Sequence, residues 1–422
     1  MIATLRQRDF FLAWVGGLVS MMGDWVMYIA LPIYVYQLTD SALATSGMFV
    51  AALLPALLIG SVAGVFVDRW DRKQTMIVAN LLLALTLLPL LAVRSADGVW
   101  VVYAVGFAQS TISQFSRPAE GALLPRLVSA EHLLTANSLN SLNNNLARLL
   151  GPAVGGTVMG QFGLSAVVLV DAVSFLFAAG MIALITASGR VTITGVAVIG
   201  DTERAWRRVR REWLDGLALI RRDRAISVVL CLQSTGFLGE GVFGVMFVIW
   251  VGETLGGGAR ELGWFMSAQA VGGLVGGTLL GYAGSRLSTV QLLGFGGIAF
   301  GLLDLALFNF PLVFSSIWIG IALIMLVGVP AIGIGAGFTT LLQSIVRDDY
   351  LGRVFGVMGT TSALLRLVGT LIAGALGGVL GPVVLLNIQG GSYVLMGLLA
   401  LIMLPAALAD LQRGAARPDP QT

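Results

Sequence analysis

The sequence predicts an all-α membrane protein with twelve transmembrane helices arranged as two pseudo-symmetric six-helix bundles. Three observations carry that expectation. Only 11% of the residues are charged while 57% are hydrophobic, and the mean hydropathy is +0.90; soluble domains carry about 25% charged residues. The 422 residues form a succession of long apolar runs, and one span takes about 20 such residues. The chain also repeats itself: LARLLGPAVGG at 146–156 returns as LLRLVGTLIAG at 364–374, 218 residues later.

The runs do not alternate polar and apolar residues, so they do not describe the ~10-residue strands of an outer-membrane barrel. The expected spans are 10–37, 42–67, 75–93, 98–120, 135–160, 164–187, 226–251, 262–284, 289–309, 313–340, 354–379 and 387–409. The first follows Arg6 and Arg8, is long enough to span, and has no small-residue cleavage site. It therefore reads as an uncleaved helix. Basic residues orient the set. Loops on one side hold Arg69, Arg72, Lys73, Arg126, nine arginines from Arg190 to Arg224, Arg286, Arg347 and Arg353; the opposite loops hold only Arg94 and Arg260. Both termini are expected on the cytoplasmic side of the cell membrane.

One long hydrophilic segment, 189–225, divides the chain into bundles at 1–188 and 226–422. Within it Trp206, Val209, Trp213, Leu217 and Ile220 recur at spacings of 3, 4, 4 and 3 among arginines, the pattern of an interfacial amphipathic helix. The shift of 218 also superposes LLPRLVSA at 123–130 on LLQSIVRD at 341–348. Gly23-Asp24 falls on Gly239-Glu240 with a shift of 216, and Gly64 and Arg69 fall on Gly281 and Arg286 with a shift of 217. Parallel repeats of even helix number are expected around an axis along the membrane normal. Glycines at four-residue spacing (Gly273, Gly277, Gly281; Gly151, Gly155) permit close helix approach in lipid.

Composition excludes several classes. A net charge of +3 with the basic residues in inter-helix loops is no nucleic-acid signal. A single cysteine, Cys231, and a single histidine, His132, leave no disulfide framework and no Cys/His metal site. The only lysine, Lys73, precedes Gln74, so the Gly-Lys-Ser/Thr of a P-loop is absent and the chain alone is no ATP-driven pump. There is no GxSxG and no HExxH. Neither an enzyme, a cofactor, a metal nor an ATPase subunit is implied.

Gly64 to Lys73, GVFVDRWDRK, is a charged knot between two apolar runs, with five charges in ten residues. Gly64, Asp68-Arg69 and Arg72-Lys73 resemble the loop signature between the second and third helices of the major facilitator superfamily. Asp71 stands where a glycine is usual, which is similar to the branch of macrolide-efflux proteins and the enterobactin exporter. The resemblance implies the facilitator fold over essentially the whole chain and makes Gly64, Asp68, Arg69, Arg72 and Lys73 a conformational latch. Asp68 would meet the positive N-terminus of the eleventh helix. Its counterpart in the second half is Ser285, so a second latch is expected to be weak. Gly151-Pro152-Ala153-Val154-Gly155-Gly156 is similar to the end of the superfamily's antiporter motif in the fifth helix, with Ser138 and Ala147 replacing upstream glycines.

Ionisable residues inside spans are costly and usually functional. Asp24 and Glu240 occupy matching places, about 21 Å of helix from their cytoplasmic starts, in helices that line the central cavity in this superfamily. A carboxylate there could exchange a proton; alternatively Asp24 and Glu240 form fixed ion pairs with Arg148 and Arg366. Gln109, Ser113, Arg117 and Glu120 share one face of the fourth span, whereas Val327, Ala331, Gly335 and Phe338 at the matching positions of the tenth are apolar. Asp171 and Asp304 lie nearer helix ends, where hydrated or hydrogen-bonded structural roles are expected. The function expected is secondary active transport, with proton-coupled efflux of a small amphiphilic molecule through the lipid bilayer. Import or uniport of a metabolite or lipid-like compound, and a non-transporting sensor, stay open. Asp68→Asn is expected to shift the population toward inward-open, read by cysteine accessibility from the two membrane faces; wild-type accessibility and transport would count against a latch.

Overall fold

The structure, a computed structural model, describes residues 1–67, 69–187, 189, 211, 213–221, 223–314 and 316–415. A single turn, Ile2–Leu5, precedes α1 (Arg8–Thr39). Then come α2 (Ala42–Val67), α3 (Arg72–Leu87, prolonged by a 3-10 turn Leu88–Ala92) and α4 (Val99–Leu127). Residues Leu133–Ala183 form one continuous stretch broken at Gly163, φ +74°, giving α5 (133–162) and α6 (164–183). In the second half lie α7 (Arg224–Glu253), α8 (Ala259–Ala283), α9 (Thr289–Asn309) and α10 (Ile317–Ile345). Asp348–Ala415 breaks at Gly381, also at φ +74°, into α11 (348–380) and α12 (382–415). Gly163 and Gly381 are 218 residues apart, so the internal repeat places the same left-handed glycine at the same turn of each half, a conformation that a Cβ disfavours.

Among the described residues eight helical stretches are apolar and long enough to cross a membrane, two of them the double stretches just named. The helices α4 and α8 fall below that mark. The first carries Gln109, Ser110, Thr111, Ser113, Gln114 and Ser116, and the second is rich in glycine, which adds little hydropathy. Helix α4 contains Pro118 and runs seven residues beyond the expected 120, through Pro125; proline keeps a helical φ and removes only one donor.

Local chemistry sets the ends. Asp40 adopts a left-handed conformation, φ 48°, that stops α1, and the Ser41 hydroxyl accepts the Ala44 amide at 3.2 Å to start α2. Asp71 accepts the Gln74 amide at 3.0 Å and begins α3. Ser288 and Gln291 make a reciprocal capping box on α9. Asp223 accepts the Ala225 and Ile226 amides at 2.8 and 3.1 Å and begins α7.

Two compact units emerge: Met1–Trp206 with Val248–Ser267, and Arg207–Phe247 with Ala268–Thr422. In the first, α1 packs chiefly on α5 and α6, and α2 on α4. The α1–α5 approach is a backbone one, since a Cβ on Gly155 would lie 2.6 Å from Val26 Cα and one on Gly151 would overlap Trp25 Cβ. The same unit includes the α7–α8 turn, where a Cβ on Gly156 would overlap the Ala259 carbonyl, one on Gly263 that of Pro152, and the Ala153 amide donates to Ser267 Oγ at 3.1 Å.

In the second unit α9 packs on α12 and α10. A Cβ on Gly369 would overlap the Leu238 carbonyl, and one on Gly241 that of Arg366. Gly151 meets Met22 and Gly369 meets Leu238, so residues related by the sequence repeat make equivalent helix contacts. The helix at 213–221 lies on the start of α11. Ile220 is buried there, and a Cβ on Gly216 would lie 2.8 Å from Val357 Cγ2 and 2.9 Å from the Arg353 carbonyl. The apolar face of this linker helix therefore meets protein; Trp206 and Val209 lie outside the described residues.

Gly241→Leu and Gly369→Leu are expected to lower the thermal unfolding midpoint of the purified protein, each overpacking by about 1–3 kcal/mol. Gly378→Ala, where a Cβ would meet nothing within 4 Å, is the matched control expected to leave it unchanged.

Candidate functional site

Asp24 lies on an exposed part of α1 and makes no ion pair with a described residue. Arg148, also exposed, is not its partner. Immediately before it, Gly23 lets α6 come so close that an added Cβ would overlap Asp171 Oδ1 and Ser174 Oγ. Asp171 is 2% exposed, and its carboxylate accepts the Ser174 hydroxyl at 3.3 Å. The charge of Asp24 reaches Asp171, and Arg117 of α4 is the cation whose field reaches Asp24. The first unit thus places two carboxylates side by side, one open and one closed in.

In the second unit the matching carboxylate is clamped. Glu240 Oε2 lies 2.9 Å from Arg366 Nη2, with the two side chains 50% and 41% exposed. Arg366 also sits 5.7 Å from the centre of the Phe237 ring, a cation–π distance. Of the two ion pairs anticipated, one is present and the other is not. A Cβ at 241 would overlap the Arg366 carbonyl, so α7 and α11 touch beside Glu240; in the first unit Trp25 stands at the corresponding position, with its Cβ against Gly151.

Behind Glu240 lies a polar row that sequence reading did not connect. The Tyr393 hydroxyl donates to the Gly236 carbonyl at 3.3 Å. Gln389, one turn earlier on α12, lies against Gly239 and donates its amide to Asp304 Oδ2 at 2.9 Å. Asp304 and Asp171 are both fully buried, so the hydrated alternative for each does not hold and the hydrogen-bonded one does. The repeat contained the signal: Gln389 is 218 residues after Asp171, and the Ser174 and Ser392 hydroxyls bond the carbonyls of Asp171 and Gln389 at 2.8 and 2.7 Å.

The polar face of α4 is partly committed to packing. Gln109 donates to the Leu83 carbonyl and to Thr86 Oγ1, both at 2.8 Å, which ties α4 to α3. Ser113 returns its hydroxyl to the Gln109 carbonyl at 2.8 Å. Arg117 is exposed and Glu120 half-buried on the same helix.

Of the loop residues, Asp68 lies outside the described residues, and Gly64 ends within α2. Arg69 is exposed. Arg72 Nη1 donates to the Ala122 carbonyl at 3.0 Å, and Lys73 Nζ donates to the carbonyls of Ala183 and Ile185 at 3.0 and 2.7 Å. These two cations close the C-terminal ends of α4 and α6, where helix dipoles favour positive charge. They hold the first unit together from within. Asp9 does the same from α1, accepting the Thr186 and Ala187 amides at 3.0 and 2.8 Å.

At the opposite end of this unit is a cavity of about 340 Å³ lined by Ile33, Tyr36, Asp40, Val251, Glu253 and Leu262, among others. The Tyr36 hydroxyl donates to the Glu253 carboxylate there. Sequence reasoning missed it because its residues sit at helix ends, where polar side chains carry no periodic signal.

Over most of its length the chain is 27% identical to an uncharacterized facilitator-type transporter, YfiS of Bacillus subtilis, covering 91% of this chain and 90% of that one. It is 25% identical to macrolide efflux protein A of Streptococcus pyogenes (86% and 88% covered) and 24% to the enterobactin exporter EntS of Salmonella paratyphi A (92% and 90%). In fold it is similar to a bacterial homologue of the iron transporter ferroportin solved in an inward-facing state, with TM-score 0.71 at 18% identity over 96% and 98% of the chains. These relatives are membrane transporters, not enzymes. Residues 1–420 match the family described as transmembrane secretion effector, and the chain belongs to it, within the macrolide-efflux and enterobactin-exporter branch of the major facilitator superfamily.

Proposed function

We propose that this transporter is a secondary active exporter that moves a small amphiphilic molecule outward in exchange for protons, by rocking its two bundles about a midplane site. The observation that carries the reading is the unequal pair Asp24 and Glu240. Each sits at the same place in its own half, yet Asp24 is open and without an ion pair among the described residues while Glu240 is held by Arg366 at 2.9 Å. An unpaired carboxylate in a span can load and release a proton and can meet a cationic substrate. A paired one is better suited to fixing helices or to changing partner during the cycle. Asp24 is therefore the coupling group and Glu240–Arg366 the structural counterpart that strengthens α7–α11.

Efflux, rather than uptake, is supported by what similar proteins are named for: macrolide efflux, enterobactin export and multidrug efflux. The α5 glycines that press on the α7–α8 turn agree with the antiporter-like motif. A substrate of amphiphilic character fits a polar α4 opposed in sequence by an apolar α10. The protein would work in the cell membrane with its termini in the cytoplasm, latched through Asp68 and Arg69.

Efflux is tested in inverted membrane vesicles with a macrolide, a lipophilic cation and a catecholate siderophore under an imposed pH gradient. Asp24→Asn is expected to abolish gradient-driven accumulation while the protein keeps its wild-type melting profile; unchanged accumulation sinks the coupling role. Substrate binding to the wild type should be tighter at pH 8 than at pH 6, because an ionised Asp24 is the competent form, and the mutant should lose that difference. Arg366→Gln, which leaves Glu240 in place, is expected to weaken transport by roughly tenfold, about 1.4 kcal/mol, without removing its pH dependence. Loss of the pH dependence in that variant would move coupling to the second half.

A further inference from the structure

The Asp304–Gln389 contact has a donor missing. Asp304 on α9 is 1% exposed and Gln389 on α12 is 4% exposed. The amide Nε2 donates to Asp304 Oδ2 at 2.9 Å. The amide oxygen, Oε1, is buried and has no hydrogen-bond partner. Asp304 for its part makes no ion pair among the described residues. A buried carboxylate without a cation and a buried carbonyl without a donor are each costly, and here they belong to the same two side chains.

The surroundings supply nothing else. Helix α9 carries no other ionisable residue, and α10, packed along it, has none over Ile317–Ile345. On the part of α12 facing Asp304 the only titratable group is Tyr393, whose hydroxyl is given to Gly236. On α7, Glu240 is paired with Arg366. The α9–α12 seam is too close for a hydrated ion: a Cβ on Gly390 would lie 3.3 Å from Asp304 Cβ, and one on Gly301 would lie 2.7 Å from the Val394 nitrogen.

We propose that Asp304 and Gln389 form a proton-binding site in the second unit, with Asp304 held as the neutral acid. A proton on Oδ1 donates to Gln389 Oε1 while Nε2 donates to Oδ2, the two-bond ring that a carboxylic acid makes with a primary amide. One proton, taken from water, satisfies the charge and the orphan acceptor together; its release leaves both unsatisfied again. The site stands apart from Asp24 and does not require transport to be proton-driven.

Infrared spectroscopy of the purified full-length protein tests it. At neutral pH the spectrum of wild type minus Asp304→Asn should show the carbonyl stretch of a protonated carboxylic acid, shifted down in deuterium oxide and insensitive to added sodium. Gln389→Met keeps the carboxyl and removes its partner, so the acid band should move to higher frequency. Asp304→Asn should keep the wild-type melting midpoint, because asparagine can face Gln389 in the same ring. Absence of the acid band at neutral pH, or a band that disappears on adding sodium, overturns the proposal. Loss of efflux in Asp24→Asn with the Asp304 band intact would leave both readings standing; retained efflux in Asp24→Asn would remove only the former.

Discussion

Backbone-to-backbone approach of helices is the constraint on which this structure depends. Lipid supplies no hydrophobic drive between apolar helices, so association rests on close packing and hydrogen bonds. In each unit the crossing that positions the candidate carboxylate is built where no Cβ fits: Gly151 and Gly155 against α1, Gly241 and Gly369 between α7 and α11. Asp24 and Glu240 are set on helices whose rotation and depth those contacts fix. A chain with larger side chains there would keep its apolar helices and lose the register that brings the polar groups together.

The charged residues divide by depth. At the helix ends, Arg72, Lys73, Asp71 and Asp9 bond backbone groups at or just beyond helix termini of the first unit, which satisfies groups that lipid cannot. Within the spans, charge is distributed unequally between the halves. One half has an open Asp24 beside a buried Asp171; the other has a paired Glu240 and a buried Asp304 that reaches Gln389 across α9–α12. Gln389 stands at the repeat position of Asp171, so the second half keeps a buried carboxyl at this level but carries it on a different helix. The two halves thus share a duplicated framework and differ in where their ionisable groups stand.

The fold was largely legible before any coordinates. The shift of 218 linked Arg148 to Arg366 and Gly151 to Gly369, and the structure shows those glycines in equivalent contacts and Gly163 and Gly381 in the same backbone conformation. Legibility fell away for side-chain partners. Gln109 and Ser113 read as one polar face, yet Gln109 is bonded to α3. Asp171 and Asp304 read as residues near helix ends, yet both are buried. Helical periodicity gives the direction of a side chain about its own axis and nothing about which neighbour stands there.

By itself the sequence determined the class, the helices and the duplication, because these follow from hydropathy and repetition along one dimension. It also singled out Asp24 and Glu240, since an acid within an apolar run is visible without a neighbour. Only the tertiary structure decided that Glu240 is ion-paired with an arginine while Asp24 has no ion pair among the described residues, that Lys73 closes α6, and that Asp304 meets Gln389 across 85 residues of chain. The physical reason is that ion pairs and buried hydrogen bonds are settled over a few ångströms between helices distant in sequence. Which pairs come within that range depends on the glycine contacts that set each helix against the next.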